Sequence, residues 1–149
     1  MKRSLLMMAL LCGVLFCGCK KDKDKEAGNF PSIETVANLM PGGWVCTKSY
    51  EPEDVGYELD FVPRYDGAYG GTCYINGVAK DWELEPVYPS DFEDGVSGCA
   101  TSIITGGVDY WWFVYAISSN EMEWRLIDSG NGWNDKIGND VMKFERMIY

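Results

Sequence analysis

The chain has 149 residues, 46% hydrophobic and 14% aromatic, with 23 acidic residues against 13 basic ones and no histidine, a formal charge of −10. That acidity argues against nucleic acid or anionic lipid as a partner, because both need a basic footprint. The missing histidine excludes the usual nucleophile–histidine triads and histidine-ligated metal sites.

Residues 1–18 have the layout of an export signal: Lys2 and Arg3 open it, and an apolar run follows from Ser4 to Phe16. A helical membrane span needs about 20 apolar residues, and this run is shorter. It ends in Phe16-Cys17-Gly18-Cys19, which resembles a bacterial lipobox, with small Gly18 ahead of the cysteine to be lipidated. The resemblance implies that Cys19 is the mature N-terminus and carries acyl chains such as palmitate. More than one chain is needed for stable anchoring. The protein is then a cell-envelope lipoprotein, expected at the outer membrane and tethered by its N-terminus; a plain secretory signal is the other reading. Lys20 to Glu26 alternates charge without an apolar residue, so residues 19–30 are expected to form a solvated spacer. A lysine–acid run behind a lipidated cysteine also resembles the surface-export tags of lipoproteins in some Gram-negative bacteria. The alternative is a hydrophilic stalk facing the periplasm.

Residues 31–149 suffice for one domain with a real core, and no second linker or repeat divides them. Ser32 can cap a short helix within Pro31 to Met40 that places Ile33, Val36, Ala37 and Met40 on one face, and Pro41-Gly42-Gly43 stops it. Beyond it, period-two alternation between turn signals predicts half-buried antiparallel strands. They are expected at Gly43–Tyr50, Gly56–Val62, Ala68–Ile75, Val78–Leu84, Cys99–Thr105, Val108–Ser118, Glu121–Asp128 and Asp140–Ile148. In the seventh, for example, Met122, Trp124 and Leu126 oppose Glu121, Glu123 and Arg125.

Asn76-Gly77 is a preferred type I′ hairpin turn, since both central residues need positive φ. Counting outward pairs Ile75 with Val78, Cys73 with Lys80 and Gly71 with Trp82, whose ring would fill the space beside the glycine. Sequential strands joined by short turns predict an all-β, up-and-down meander of about eight strands, closed as a barrel or folded as a sandwich. Glu85 to Gly98 is the exception, a long loop able to overhang a barrel mouth.

Three features carry a family resemblance. Gly43-Trp44 follows the short helix and opens the first strand; it is similar to the Gly-x-Trp opening of lipocalins, with the intervening residue missing. The last strand carries Arg146, where lipocalins often have an arginine over the opening tryptophan. A run of hairpins of suitable length lies between them. The chain thus resembles lipocalin-like bacterial lipoproteins. The resemblance implies a barrel whose floor Trp44 and Arg146 close by cation–π stacking and hydrogen bonds to backbone carbonyls.

Catalysis finds no support. Cys99 has no histidine base, Gly95-Val96-Ser97-Gly98 does not complete a nucleophile elbow, and Glu83, Glu121 and Glu123 read as solvated strand faces. No cofactor is indicated. Zinc lacks a Cys-x-x-Cys pair. The Asp128–Asp140 stretch breaks the EF-hand pattern, and turn chemistry explains it. Cys46, Cys73 and Cys99 allow either one disulfide with a free thiol or three buried thiols.

Aromatic residues are abundant. In Asp109 to Tyr115, Tyr110 and Trp112 lie on one side, while Trp111, Phe113 and Tyr115 lie on the other. The second side is either covered or an exposed binding patch. Lys48 and Lys80 share strand faces with core residues and can point toward a barrel mouth or snorkel to water. The leading expectation is non-catalytic binding of a small, mainly apolar ligand inside the barrel, with Trp82, Trp112, Trp124 and Lys80 as ligand-binding residues. The alternatives are a carbohydrate- or protein-binding surface module and a structural lipoprotein without a ligand.

Overall fold

The computed structural model describes residues 30–105, 108–129 and 135–149. The expected export signal, Cys19 and nearly all of the expected spacer lie outside the described residues. Helix α1 (Ile33–Leu39) is followed by β1 (Gly42–Lys48), a 3-10 turn at Pro52–Asp54, β2 (Glu58–Pro63), β3 (Gly70–Ile75) and β4 (Val78–Val87). Strands β5 (Gly98–Thr105), β6 (Val108–Ile117), β7 (Glu121–Ser129) and β8 (Asp135–Arg146) complete the order. Each strand pairs antiparallel with the next, and β8 pairs with β1, so the meander closes into an eight-stranded barrel.

The barrel interior takes the apolar half of each alternating strand. Trp44, Cys46, Leu59, Phe61, Cys73, Trp82, Leu84, Cys99, Ile103, Val114, Met122, Trp124 and Phe144 form one buried cluster. Helix α1 plugs one end. Ser32 caps it by accepting a hydrogen bond from the Thr35 N–H, and Ile33, Val36 and Ala37 turn inward. The hairpin at Asn76-Gly77 has φ of +48° and +82°, and Ile75↔Val78, Cys73↔Lys80 and Gly71↔Trp82 are its register pairs. Asn76 does more than turn the chain: its side-chain oxygen accepts from the Glu58 N–H at 2.9 Å and ties the hairpin to β2.

Several local expectations are corrected. The space beside Gly71 holds the backbone of Val62, Pro63 and Arg64 rather than the Trp82 ring; a Cβ there would collide with the Val62 carbonyl. Strand β4 runs three residues beyond Leu84, through Pro86. The Leu84 N–H donates across to Tyr69, so the nitrogen of Pro86, two residues on, faces the same edge. Strand β3 has no paired residue there, and the missing N–H costs no ladder bond. Strand β8 begins at Asp135 rather than Asp140, paired with Ile127–Ser129 across a register shift after Arg125. Gly138 permits this because the Leu126 carbonyl approaches where its Cβ would stand. Lys48 does not share the inner face with Trp44 and Cys46. A bulge between Cys46 and Lys48 re-aims it, and its side chain is exposed.

The long connection does not overhang the mouth. Residues 88–97 lie against the outer wall, where Phe92 and Val96 join Val87, Ala100 and Phe113 in a second buried cluster. Phe30, Trp111, Tyr115, Ile127 and Ile137 flank it. Phe92 forms a parallel bridge with Asp135, and backbone bonds run between Asp91, Glu93 and Asp135. The outward aromatics of β6 are therefore covered, which explains why both faces of that strand are bulky.

Candidate functional site

The two barrel ends differ. At the plugged end, the Arg146 guanidinium lies 3.9 Å over the Trp44 ring, and the two residues are register partners in β8 and β1. Arg146 donates to the carbonyls of Pro41 (2.7 Å), Leu39 and Ser119 (3.0 Å), and the Trp44 indole donates to Met40 at 2.8 Å. A helix leaves its last carbonyls without intrahelical partners; here a cation and an indole satisfy them, with the charge sign that suits a helix C-terminus. Gly42 has φ +106°, and a Cβ there would press on Arg146. This end is sealed.

The opposite end opens into a cavity of about 500 Å³ lined by Cys46, Asp54, Tyr57, Leu59, Ile75, Asn76, Val78, Lys80, Ile103, Trp112, Trp124 and Met142. All eight strands supply its walls, β1 through Cys46, and the 3-10 turn brings Asp54 to the rim. The walls are mostly aliphatic and aromatic. Asp54 and Lys80 place one charge of each sign at the mouth, and neither takes part in an ion pair among the described residues.

Trp112, Trp124 and Lys80 come together at this cavity, and Trp82 does not join them. Trp82 is 0% exposed, lies against Phe61 at 5.2 Å, and donates to Thr101 Oγ1 at 3.1 Å. It belongs to the packing beneath the cavity. Trp124 stands at the boundary. Phe144 and Phe61 lie on it at centroid separations of 4.6 and 6.0 Å, and Trp112 at 5.4 Å. Tyr110 in turn stacks on Trp112. Strand alternation assigns a residue to a face but carries no depth along the barrel axis, so it groups Trp82 with Trp124. Asp54 and Asn76 escape the sequence reading because they line the mouth from turns, whereas the alternation of the second strand puts Tyr57 on the inward face with Leu59.

Cys46, Cys73 and Cys99 are free and buried. Burial pushes the Cys73 and Cys99 thiols up to about 12, and raises Cys46 with a further contribution from Asp54. None has the electropositive surroundings that make a thiolate nucleophile. Among the described residues no group of His, Cys, Asp or Glu side chains is arranged to hold a metal ion. No helix among them is long and apolar enough to cross a membrane.

No family model matches the chain, and no solved structure matches it. A glutamine–tRNA ligase of Idiomarina loihiensis is 26% identical over 133 aligned residues, which cover 73% of this chain and 22% of that protein. The chain thus spans about a fifth of the length of the curated relative it matches.

Proposed function

We propose that this is a lipid-anchored, non-catalytic binding protein of the cell envelope whose barrel takes a small, mainly apolar molecule through its open end. The observation that carries the reading is the cavity of about 500 Å³ walled by Leu59, Ile75, Val78, Ile103, Trp112, Trp124 and Met142. Ligand sites are characteristically concave, largely apolar and of about 300–1,000 Å³. The sealed floor supports it further: with α1, Trp44 and Arg146 closing one end, the barrel offers a blind pocket. That arrangement also favours a lipocalin-like barrel; the outer-membrane anchor at Cys19 rests on the lipobox resemblance of Phe16-Cys17-Gly18-Cys19.

The match to a glutamine–tRNA ligase does not bring tRNA binding with it. Residues 30–149 hold 7 of the 13 basic and 20 of the 23 acidic residues, a net −13. A polyanion requires clustered Lys and Arg on its contact face.

The test is titration of the protein with an environment-sensitive apolar dye, followed by intrinsic tryptophan emission. Saturable one-to-one binding is expected, and Ile75→Trp, which adds bulk at the mouth, should abolish it in a still-folded variant. A folded protein that shows no saturable uptake would sink the proposal and leave a structural lipoprotein or a surface-binding module.

A further inference from the structure

Four tryptophans lie within the barrel, and their indole N–H groups divide by position. At the floor and in the packed middle, Trp44 donates to Met40 and Trp82 to Thr101. At the cavity wall, the Nε1 atoms of Trp112 and Trp124 are buried and find no acceptor among the described residues. The Tyr50 hydroxyl comes near the Trp112 indole without reaching hydrogen-bond geometry. Trp124 is 1% exposed, so its N–H is closed off from bulk solvent in this arrangement. A buried donor without a partner is a standing cost, and buried indoles ordinarily find an acceptor.

We infer that the ligand is a neutral, mainly apolar molecule carrying a carbonyl-type oxygen at its inner end, which accepts from the Trp124 indole N–H with Trp112 beside it. This rests on the cavity reading above and specifies its ligand class. Both tryptophans line the cavity while their nitrogens are buried, so the rings must turn for the acceptor to meet them. Neutrality follows from the surroundings. Asp54 stands at the mouth, residues 30–149 carry a net −13, and a carboxylate stripped of water at the depth of Trp124 would lack a paired cation. Lys80 lines the same cavity and is the one group there able to favour an anion, so the test must separate the two.

The experiment compares 2-nonanone, nonane and nonanoate as competitors of the bound dye, using the whole protein, Trp124→Phe and Trp112→Phe. The ketone-to-alkane affinity ratio should fall about tenfold in Trp124→Phe, the worth of one hydrogen bond; the ratio cancels whatever the smaller ring does to apolar affinity. Indole N–H resonances of the unmutated protein provide a readout free of folding effects. The Trp124 signal should move downfield with ketone and stay unmoved with alkane. An unchanged ratio in both variants, or an unmoved resonance on ketone saturation, overturns the inference and leaves the cavity reading standing. Preference for nonanoate that disappears in Lys80→Met also overturns it, placing recognition at the rim charge. Failure of all three probes to displace dye from folded protein overturns the inference, and absence of saturable dye binding overturns the cavity reading with it.

Discussion

Replacing Arg146 tests whether one side chain holds the helix, the first strand and the β6–β7 turn together. Its guanidinium lies over Trp44 and donates to Leu39, Pro41 and Ser119. A half-buried cation–π pair contributes about 1 kcal/mol. Hydrogen bonds from an ionised donor contribute about 1.5–3 kcal/mol when desolvated. These are partly exposed, and the freed carbonyls can turn to water, so about 0.5–1 kcal/mol each is appropriate here. Arg146→Ala should therefore cost about 3 kcal/mol, or roughly 10 °C in Tm for a domain of this size. Arg146→Lys keeps the charge but cannot reach three carbonyls with a planar fork, and should lose about 2 kcal/mol. Urea unfolding followed by tryptophan emission measures both. If Lys matches Arg, the charge alone matters and the capping geometry is idle. If Ala loses less than about 0.5 kcal/mol, the floor is held by packing alone and the reasoning fails.

Thr101→Val removes the acceptor of the buried Trp82 N–H, whose distance is 3.1 Å, and should destabilise by about 1–3 kcal/mol; denaturant midpoints will show it. Phe92→Ala should free the 88–97 segment, lower stability by about 2–4 kcal/mol and expose the outer wall, while dye affinity at the mouth is retained. The buried thiols set an alkaline limit. Cys73 and Cys99 have folded pKa values near 12 against a usual value of 9.0, so the unfolded chain releases protons first as pH rises. Stability is fully present below about pH 9 and declines toward pH 12. A thiol reagent should leave both cysteines unmodified at pH 8 until denaturant is added; rapid modification of the native protein contradicts their burial.

The barrel was legible because interior and solvent faces alternate residue by residue in β2, β4 and β7, and because Asn76-Gly77 pins one register that hydrophobicity repeats. The start of β8 was hidden: Asp135 to Asp140 carries a single apolar side chain, Ile137, and a bulge breaks its phase with β7. Lys48 was misplaced for a similar reason, since period two cannot foresee the extra residue between Cys46 and Lys48. Strand β4 seemed to stop at Leu84 because Pro86 ordinarily ends a ladder, whereas here its nitrogen faces an edge that β3 does not reach. The site was legible only as a set of inward residues. Which of them line a void, and which are packed below it, depends on where each strand crosses the barrel axis. Trp82 and Trp124, equally inward in pattern, therefore part company in space.

The β1–β8 seam also bears on how the protein is made. Pro41 and Arg146 are 105 positions apart, and the Leu39 and Pro41 carbonyls lack their Arg146 partner until β8 has been synthesised. During elongation the first seven strands can form hairpins one after another, but they present an open edge at each side. Such edges invite pairing with other chains, and distant contacts of this kind slow folding. The net charge of −13 over residues 30–149 keeps unclosed chains apart until the last strand docks.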